Sequence, residues 1–413
     1  MQITKAQDKE LIVGLDVGTS KTCALIGEVL PDDKINILGV GLHPSRGMDK
    51  GGVNDLDLVV RSIQRALDQA ELMADSHIAS VYLSISGRHI ACQNENGMVS
   101  VNDEEVTQED VHNVIHTASS IKLPYERRIL HVFPQEYAID IQEGIRSPIG
   151  MSGMRMEAKV HMVTCANDMA KNIVKSVERC KLKVNDLVFS AIASADAVLT
   201  EDEKDLGVCL IDIGGGTSDI VIYVDGILRH SAVLPIAGNQ VTNDIAKIFR
   251  TSLTHAEQIK VQSASALSSL VHQDEMIEVP SVGGRPSRSM SRHTLAEVVE
   301  PRYEELFEFV HKEMQKSGFA NQIAAGIVLT GGTASVTGII DVAEACFGMP
   351  VRIGVPLNIQ GMTEFINEPN YATAVGLLKY GAKRLAEHKE EPIPKEGMLH
   401  WVSKAKSWFK GEF

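Results

Sequence analysis

The chain has 413 residues, too many for one ordinary core, so two or more domains are expected. Its 44% hydrophobic and 23% charged content describes a soluble globular protein rather than a disordered one. A net charge of −14 argues against a general nucleic-acid binder, which needs a basic face.

Residues 11–42 predict a meander of strands: Leu11–Asp16, Thr22–Val29 and Ile35–Leu42, with a turn signal at Pro31-Asp32-Asp33. The first turn is Leu11-Ile-Val-Gly-Leu-Asp16-Val-Gly18-Thr19-Ser20-Lys21, an apolar run ending in Asp, then Gly and hydroxyl residues. Leu56–Met73 has a helical apolar period and Val81–Ser86 reads as a strand. Residues 87–160 break the rhythm. Short strands at Met98–Val101 and Ile129–Tyr137, a capping-box helix start at Thr107-Gln-Glu-Asp110 and a Gly/Met-rich turn at Gly144–Met156 describe an inserted α+β module. A strand at Val160–Cys165 and a helix at Met169–Cys180 resume the pattern, and Val188–Leu199 reads as a tightly packed helix.

The second turn is Val208-Cys-Leu-Ile-Asp212-Ile-Gly214-Gly215-Gly216-Thr217-Ser218-Asp219-Ile-Val-Ile-Tyr223, the same device again. Gly lets the backbone approach a phosphate closely, and each Asp is suited to hold Mg²⁺ directly or through its waters. Two such turns facing each other would clamp the phosphates of one nucleotide. Taken singly, either is also an ordinary hairpin turn or loop. Beyond them come a strand Leu228–Pro235, a helix Gly238–Phe249, and a charged module at 254–310 with the segment Ser281-Val-Gly-Gly-Arg-Pro-Ser-Arg288. Then follow a strand and turn at Gly326-Ile-Val-Leu-Thr-Gly331-Gly332-Thr333, a helix Tyr371–Leu385 and a polar Pro-bearing linker at 389–397. There is no G-x-x-x-x-G-K-[ST] and no G-x-G-x-x-G opening a helix, so neither a P-loop nor a Rossmann site is signalled.

The last 17 residues, 397–413, hold both tryptophans. On a helical wheel Trp401 and Trp408 fall about 20° apart. Met398, Val402, Ala405 and Phe409 fill the same face, with Leu399 at its edge and Lys404, Lys406 and Lys410 on the flanks. One reading is a helix docked on the protein's own core. The other is an amphipathic helix lying on an anionic bilayer, which the preceding linker and the Trp/Lys pattern favour. The six cysteines are scattered without a C-x-x-C pair, the N-terminus has no apolar signal core, and no apolar run spans a bilayer. A cytoplasmic protein is expected.

In order, these motifs resemble the signatures of the actin, Hsp70 and sugar-kinase superfamily. The phosphate turns lie at 16–21 and 212–219, the connecting helices at 188–199 and 371–381, and the adenosine turn at 327–333. Ala256-Glu257-Gln-Ile-Lys260 is similar to that superfamily's ribose-contacting helix, although an i,i+3 surface ion pair would have the same spacing. The resemblance implies that Asp16 and Asp212 orient Mg²⁺. It assigns phosphate contacts to Gly18, Thr19, Ser20, Gly214, Gly215, Gly216 and Thr217, with Lys21 reaching a phosphate at an offset that differs from actin's. Asp219 would support the second turn. Gly238, Glu257, Lys260, Gly331, Gly332 and Thr333 would complete the nucleotide site. One departure stands out: Val188–Ala195 holds no Gln or Glu to position an attacking water, so ATP hydrolysis should be slow at most.

Fold, irregular insert and tethered tail together resemble the FtsA family of bacterial actin-like cell-division proteins along essentially the whole chain. That resemblance implies an actin-like ATPase fold of two duplicated α/β domains with an inserted α+β subdomain IC. Subdomain IA would take 1–84, 164–193 and 357–384; IC 85–163; IIA 194–243 and 310–356; IIB 244–309; a linker 385–396; and a membrane-targeting helix 397–413. It implies binding of ATP with Mg, head-to-tail polymerisation on the cytoplasmic face of the inner membrane at the division site, and anchoring of the FtsZ ring. Later division proteins would be recruited through IC. The FtsZ C-terminal peptide would meet IIB, with Arg285, Arg288, Arg292 and Arg302 as its candidate contacts, unless these form a solvated basic face. A small-molecule kinase or phosphatase, an Hsp70-like chaperone ATPase and a pilus-assembly scaffold share the fold and remain alternatives. The chaperone would need a β-rich domain after the ATPase, and the pilus scaffold would lack the tail.

Overall fold

A computed structural model describes residues 4–6, 9–31, 34–102 and 104–390. The residues expected to form a membrane-targeting helix, Met398, Leu399, Trp401, Val402, Lys404, Lys406, Trp408, Phe409 and Lys410, lie outside the described residues.

Two sheets repeat one topology. In the first, the order is Ile35–Pro44, Lys21–Val29, Lys9–Val17, Ser80–Ile85, Lys183–Phe189. In the second it is Ile227–Leu234, Ser218–Val224, Val208–Ile213, Ile327–Thr330, Val351–Ile353. Each is an antiparallel three-strand meander followed by two parallel strands on the far side of the meander's first strand. The shared order 3-2-1-4-5 brings the two phosphate-type hairpins to equivalent places. Short strands at Thr4–Ala6 and Ile359–Gly361 extend the first sheet.

Each sheet is buried by helices and has its own core. The first core holds Leu15, Leu25, Ile63, Leu83, Phe189 and Leu377. The second holds Ile211, Ile222, Tyr303, Phe307 and Leu329. Helix Leu56–Ala74 starts where the Asp55 side chain accepts the Leu58 N–H at 3.0 Å, buries Val59, Ile63, Ala66, Leu67 and Ala70, and stops at Asp75 in the left-handed region. The insert is a four-stranded antiparallel sheet of Ala91–Ser100, Arg127–Ile139, Gln142–Ile145 and Arg155–Ala166, covered by helix Gln108–Ser119. That helix begins with the expected reciprocal Thr107/Asp110 capping box.

Helices Ser190–Val198 and Ala372–Glu390 cross between the two halves, with Gly376 seated on the backbone of Ala193. Sequence and structure differ at several edges. Val188 and Phe189 end a parallel strand paired to Ser80–Ile85, and the helix starts only at Ser190. The last helix runs to Glu390, into the segment read as linker, because no Gly or Pro intervenes before Pro392. The expected boundaries at 193/194, 243/244 and 309/310 fall inside helices Ser190–Val198, Gly238–Ile248 and Arg292–Ser317.

Candidate functional site

The two hairpin turns are built alike. Gly18 N–H donates to Lys21 O, and Gly214 N–H to Thr217 O, both at 2.9 Å. Asp16 pairs with Cys23 across the first hairpin, and Asp212 with Asp219 across the second. Thus Lys21 corresponds to Thr217, and Cys23 to Asp219. The turns also touch each other. A Cβ on Gly215 would lie 1.9 Å from Ser20 Oγ, and one on Gly216 would lie 2.6 Å from Thr19 Oγ1. Glycine at 215 and 216 therefore permits closure of the turns upon one another as well as approach to a phosphate.

Between them opens a cleft of about 450 Å³. Its wall contains Asp16, Gly18, Thr19, Ser20, Lys21, Asp212, Gly214, Gly215, Gly216, Thr217, Asp219, Glu257, Lys260, Gly331, Gly332 and Thr333. Gly238 lies directly behind: its carbonyl accepts from Lys260 Nζ at 3.2 Å, and a Cβ there would meet Thr333 Oγ1 at 2.6 Å. The expected site residues thus converge from distant parts of the chain.

The carboxylates are held by hydroxyls that sequence reasoning missed. Ser84 Oγ donates to Asp16 at 2.7 Å and accepts from Val17 N–H. Ser194 Oγ and Thr373 Oγ1 donate to Asp212 at 2.5 and 3.2 Å. Ser86 Oγ donates to Asp219 at 2.6 Å, joining the two halves across the cleft. The available signal was a set of hydroxyls inside otherwise apolar strands and helices, at Ser80-Val-Tyr-Leu-Ser84-Ile-Ser86 and Ser190–Ser194.

Burial raises the pKa of Asp16 and Asp212, against lowering by Lys21 and Ser84 at the first and chiefly by Ser194 at the second. Asp219 is raised well above the ordinary carboxylate value by burial and then by the charge of Asp212. Such a crowd of buried acids calls for a cation. Lys21 Nζ is shielded from water, has no hydrogen-bond partner among the described residues and rests 5.0 Å from the centre of the Tyr371 ring. An orphaned ammonium beside a polar cleft fits an anionic guest. Among the described residues no three His, Cys, Asp or Glu side chains gather as a metal cage. The donors present, Asp16 and Asp212 on facing turns, fit Mg²⁺, which is held by one or two carboxylates together with waters and substrate phosphates.

Gly331 sits at φ +84, and a Cβ there would lie 2.3 Å from Asp212 Oδ1. Both facts demand glycine. Thr333 Oγ1 donates to Gly214 O at 2.8 Å, locking the third turn to the second. Lys260 and Glu257 form an ion pair at 2.8 Å, and Lys260 also donates to Thr242 Oγ1 at 2.9 Å. The i,i+3 pair exists and faces the cleft.

The four arginines differ in their surroundings. Arg285 is exposed in the turn between Met276–Val279 and Arg288–Ser291, and Arg288 donates to Phe249 O. Arg302 is held by Asp244 and Glu305. Arg292 lines the cleft, where Nε donates to Ser263 O at 2.8 Å and a second guanidinium nitrogen meets Glu275 at 2.5 Å.

Comparison with known proteins agrees with this architecture. The family model "Cell division protein FtsA" matches residues 209–376, and "SHS2 domain inserted in FTSA" matches 87–164. The chain is 57% identical to the cell division protein FtsA of Escherichia coli K12, covering 99% of this chain and 100% of that one. It is 49% identical to that of Pseudomonas aeruginosa, over 100% of both chains. Among solved structures, a PilM-PilN type IV pilus biogenesis complex aligns with TM-score 0.65 at 15% identity, covering 90% of this chain and 98% of that one. MreB5 of Spiroplasma citri bound to ADP aligns with TM-score 0.57 at 14% identity, covering 92% and 99%. These distant likenesses concern the fold, which is actin-like.

Proposed function

The chain belongs to the FtsA family of cell division proteins, and from that premise we propose that it binds ATP with Mg²⁺ between its two halves and works as a membrane-bound scaffold of the division machinery. The observation that carries the nucleotide reading is the facing pair of equivalent turns, each with a buried carboxylate, beside the unpartnered Lys21 ammonium. Asp16 and Asp212 would hold Mg²⁺ through its waters. Lys21 and the backbone N–H groups of both turns would take the phosphates, and Gly331, Gly332, Glu257 and Lys260 the nucleoside. Bound Mg²⁺ supplies neutralisation of phosphate charge. The protein's residues orient the phosphates and exclude bulk water. The start of helix Ser190–Val198 offers Ser190 to the cleft, with no carboxylate or amide on its first turn to align a water, so turnover is slow.

The scaffold role follows from family membership together with the tail. In this reading the protein polymerises on the cytoplasmic face of the inner membrane at the division site. The 397–413 helix anchors it to anionic lipid, and it tethers the FtsZ ring through the FtsZ C-terminal peptide. Later division proteins dock on the insert. Among the described residues no helix is long and apolar enough to cross a membrane. For the FtsZ peptide, Arg285 and Arg288 on the hairpin of 276–291 are the more exposed contacts, although Arg288 already donates to Phe249 O, while Arg302 and Arg292 are less exposed and paired with carboxylates.

The test is calorimetric titration of Mg-ATP into wild type and Asp212→Asn, with an EDTA arm. Wild type binds, and both EDTA and Asp212→Asn weaken binding by about tenfold or more, the scale of losing one charge-assisted contact. Wild type that takes no heat from Mg-ATP, or binding indifferent to both changes, sinks the nucleotide reading.

A further inference from the structure

We propose that the inserted domain is wired to the nucleotide cleft through two buried histidines, and that His131 is a positioning residue for the helix that opens into the cleft. The proposal rests on reading the cleft as an ATP site. Among the described residues, none that lines that cleft falls within 87–164, so an influence of the insert on bound nucleotide passes through intermediates.

The first route begins at a sheet edge. Among the described residues, strand Lys183–Phe189 pairs in the sheet only with Ser80–Ile85 and forms its edge. Insert strand Arg127–Ile139 passes that edge, and Phe189 N–H donates to His131 Nε2 at 3.0 Å in a buried setting. The imidazole is fixed between Phe133 and Tyr380, with ring centres 5.6 and 6.3 Å away. Burial pushes its pKa down to about 4, so the ring is neutral and its lone pair is available to accept. Phe189 immediately precedes helix Ser190–Val198 and makes no side-chain cap of its own. Ser190 lines the cleft, and one turn later Ser194 donates to Asp212. A shift at Phe189 therefore moves both serines along one rigid helix.

The second route reaches the other half. The Asn94 amide oxygen accepts from His161 Nδ1–H at 2.6 Å, which leaves Nε2 to accept from Ser231 Oγ–H at 2.7 Å. Gln135 Nε2 adds bonds to the carbonyls of Leu228 and Arg229, at 2.9 and 3.0 Å. These residues lie on Ile227–Leu234, the edge strand of the second sheet. Two positions beyond Ser231, Val233 pairs with Asp219 of the phosphate hairpin. The insert thus grips both walls of the cleft. Coupling of this kind is reciprocal: a nucleotide that sets the walls also sets the insert, and a partner on the insert biases the cleft.

Hydrogen exchange of the full chain with and without Mg-ATP tests the wiring on unmodified protein. The expected result is slower exchange in peptides covering 127–135 and 155–163 as well as in the cleft. Slowing confined to cleft-lining segments overturns the proposal, while no slowing anywhere overturns the ATP reading itself. In parallel, His131→Leu should weaken Mg-ATP binding by about fivefold or more, and His131→Gln, whose amide oxygen can accept, should stay within about twofold of wild type. Wild-type affinity in a folded His131→Leu, or equal losses in both variants, counts against a positioning role. If His131→Leu fails to fold, the exchange result decides.

Discussion

At the scale of single residues, the internal duplication acts as its own control. The position that is Asp219 in the second hairpin is Cys23 in the first, so the hairpin does not need a carboxylate there to form. Asp219 is buried, close to Asp212, and supported by the hydroxyl groups of Ser86 and Thr217. Its folded pKa stands well above the ordinary 3.8. A carboxyl raised in this way contributes stability that is fully present below its unfolded pKa and is lost as pH rises through the folded value. Asp16 and Asp212 act with the same sign. Half-buried His89 and buried His131 and His161, each held down to about 4, act with the opposite sign and cost stability as pH falls below about 6.5. The difference between wild type and the near-isosteric Asp219→Asn isolates one group. Without divalent cation or nucleotide, Asp219→Asn should melt higher than wild type at pH 7.5, and the gap should narrow as pH falls toward 4. A thermal-melt series from pH 4 to 8 checks this. A variant that melts lower at pH 7.5 would show that the ionised carboxylate is stabilising, against the burial argument.

At the scale of elements, the crossing of the two connecting helices sets how the halves meet. A Cβ on Gly376 would stand 1.7 Å from Ala193 O and 2.2 Å from its carbonyl carbon, so the helices must separate to admit it. Gly to Ala inside a helix ordinarily stabilises by about 1 kcal/mol. Here overpacking reverses the sign, and Gly376→Ala should lose about 1–3 kcal/mol in urea unfolding. A stabilised variant would mean that the helices are free to part. Lys379 reinforces the crossing by donating to Asp196 O at 3.0 Å and Ala197 O at 3.4 Å, the last carbonyls of the first helix. How far this architecture could be read in the sequence follows from which forces are local. The capping box at Thr107, the hairpin glycines and the period of Leu56–Ala74 are local signals, and they led to the right elements. Strand Lys183–Phe189 owes its form to parallel pairing with residues about a hundred positions away, and three-residue Ile359–Gly361 has no period to detect. Both were missed. In the site, Asp and Gly announced themselves because their chemistry is rare inside apolar runs. Ser84, Ser86, Ser194 and Thr373 did not, because a buried hydroxyl gains meaning only from the partner that the fold brings to it.

At the scale of the whole molecule, the proposed function poses one question: what would turn an actin-like fold into a scaffold on a membrane. The body gives a cleft whose closure joins two halves, with Ser86 bonded to Asp219 across it. The tail sequence offers Trp401 and Trp408 on one face with flanking lysines. Each lysine near an anionic leaflet contributes roughly 1 kcal/mol. Each large side chain fully buried in the interface contributes roughly 1.5–3 kcal/mol, offset in part by ordering the helix. On the proposed membrane reading, one tail would therefore hold a monomer only reversibly. If Mg-ATP lines the bodies up in a filament, many tails act at once, and attachment rises through effective concentration rather than through any new contact. Flotation with anionic liposomes separates the two contributions. Wild type should float more completely with Mg-ATP than without it. Trp401→Glu/Trp408→Glu should stay in solution in both conditions, because it loses the apolar face that avidity multiplies. Flotation of wild type that ignores nucleotide would leave the tail as an anchor but detach it from the cleft. A double variant that floats like wild type would place the membrane contact elsewhere on the molecule. If neither protein floats under any condition, the tail is a helix docked on the protein's own core, and the reading as a membrane scaffold falls with it.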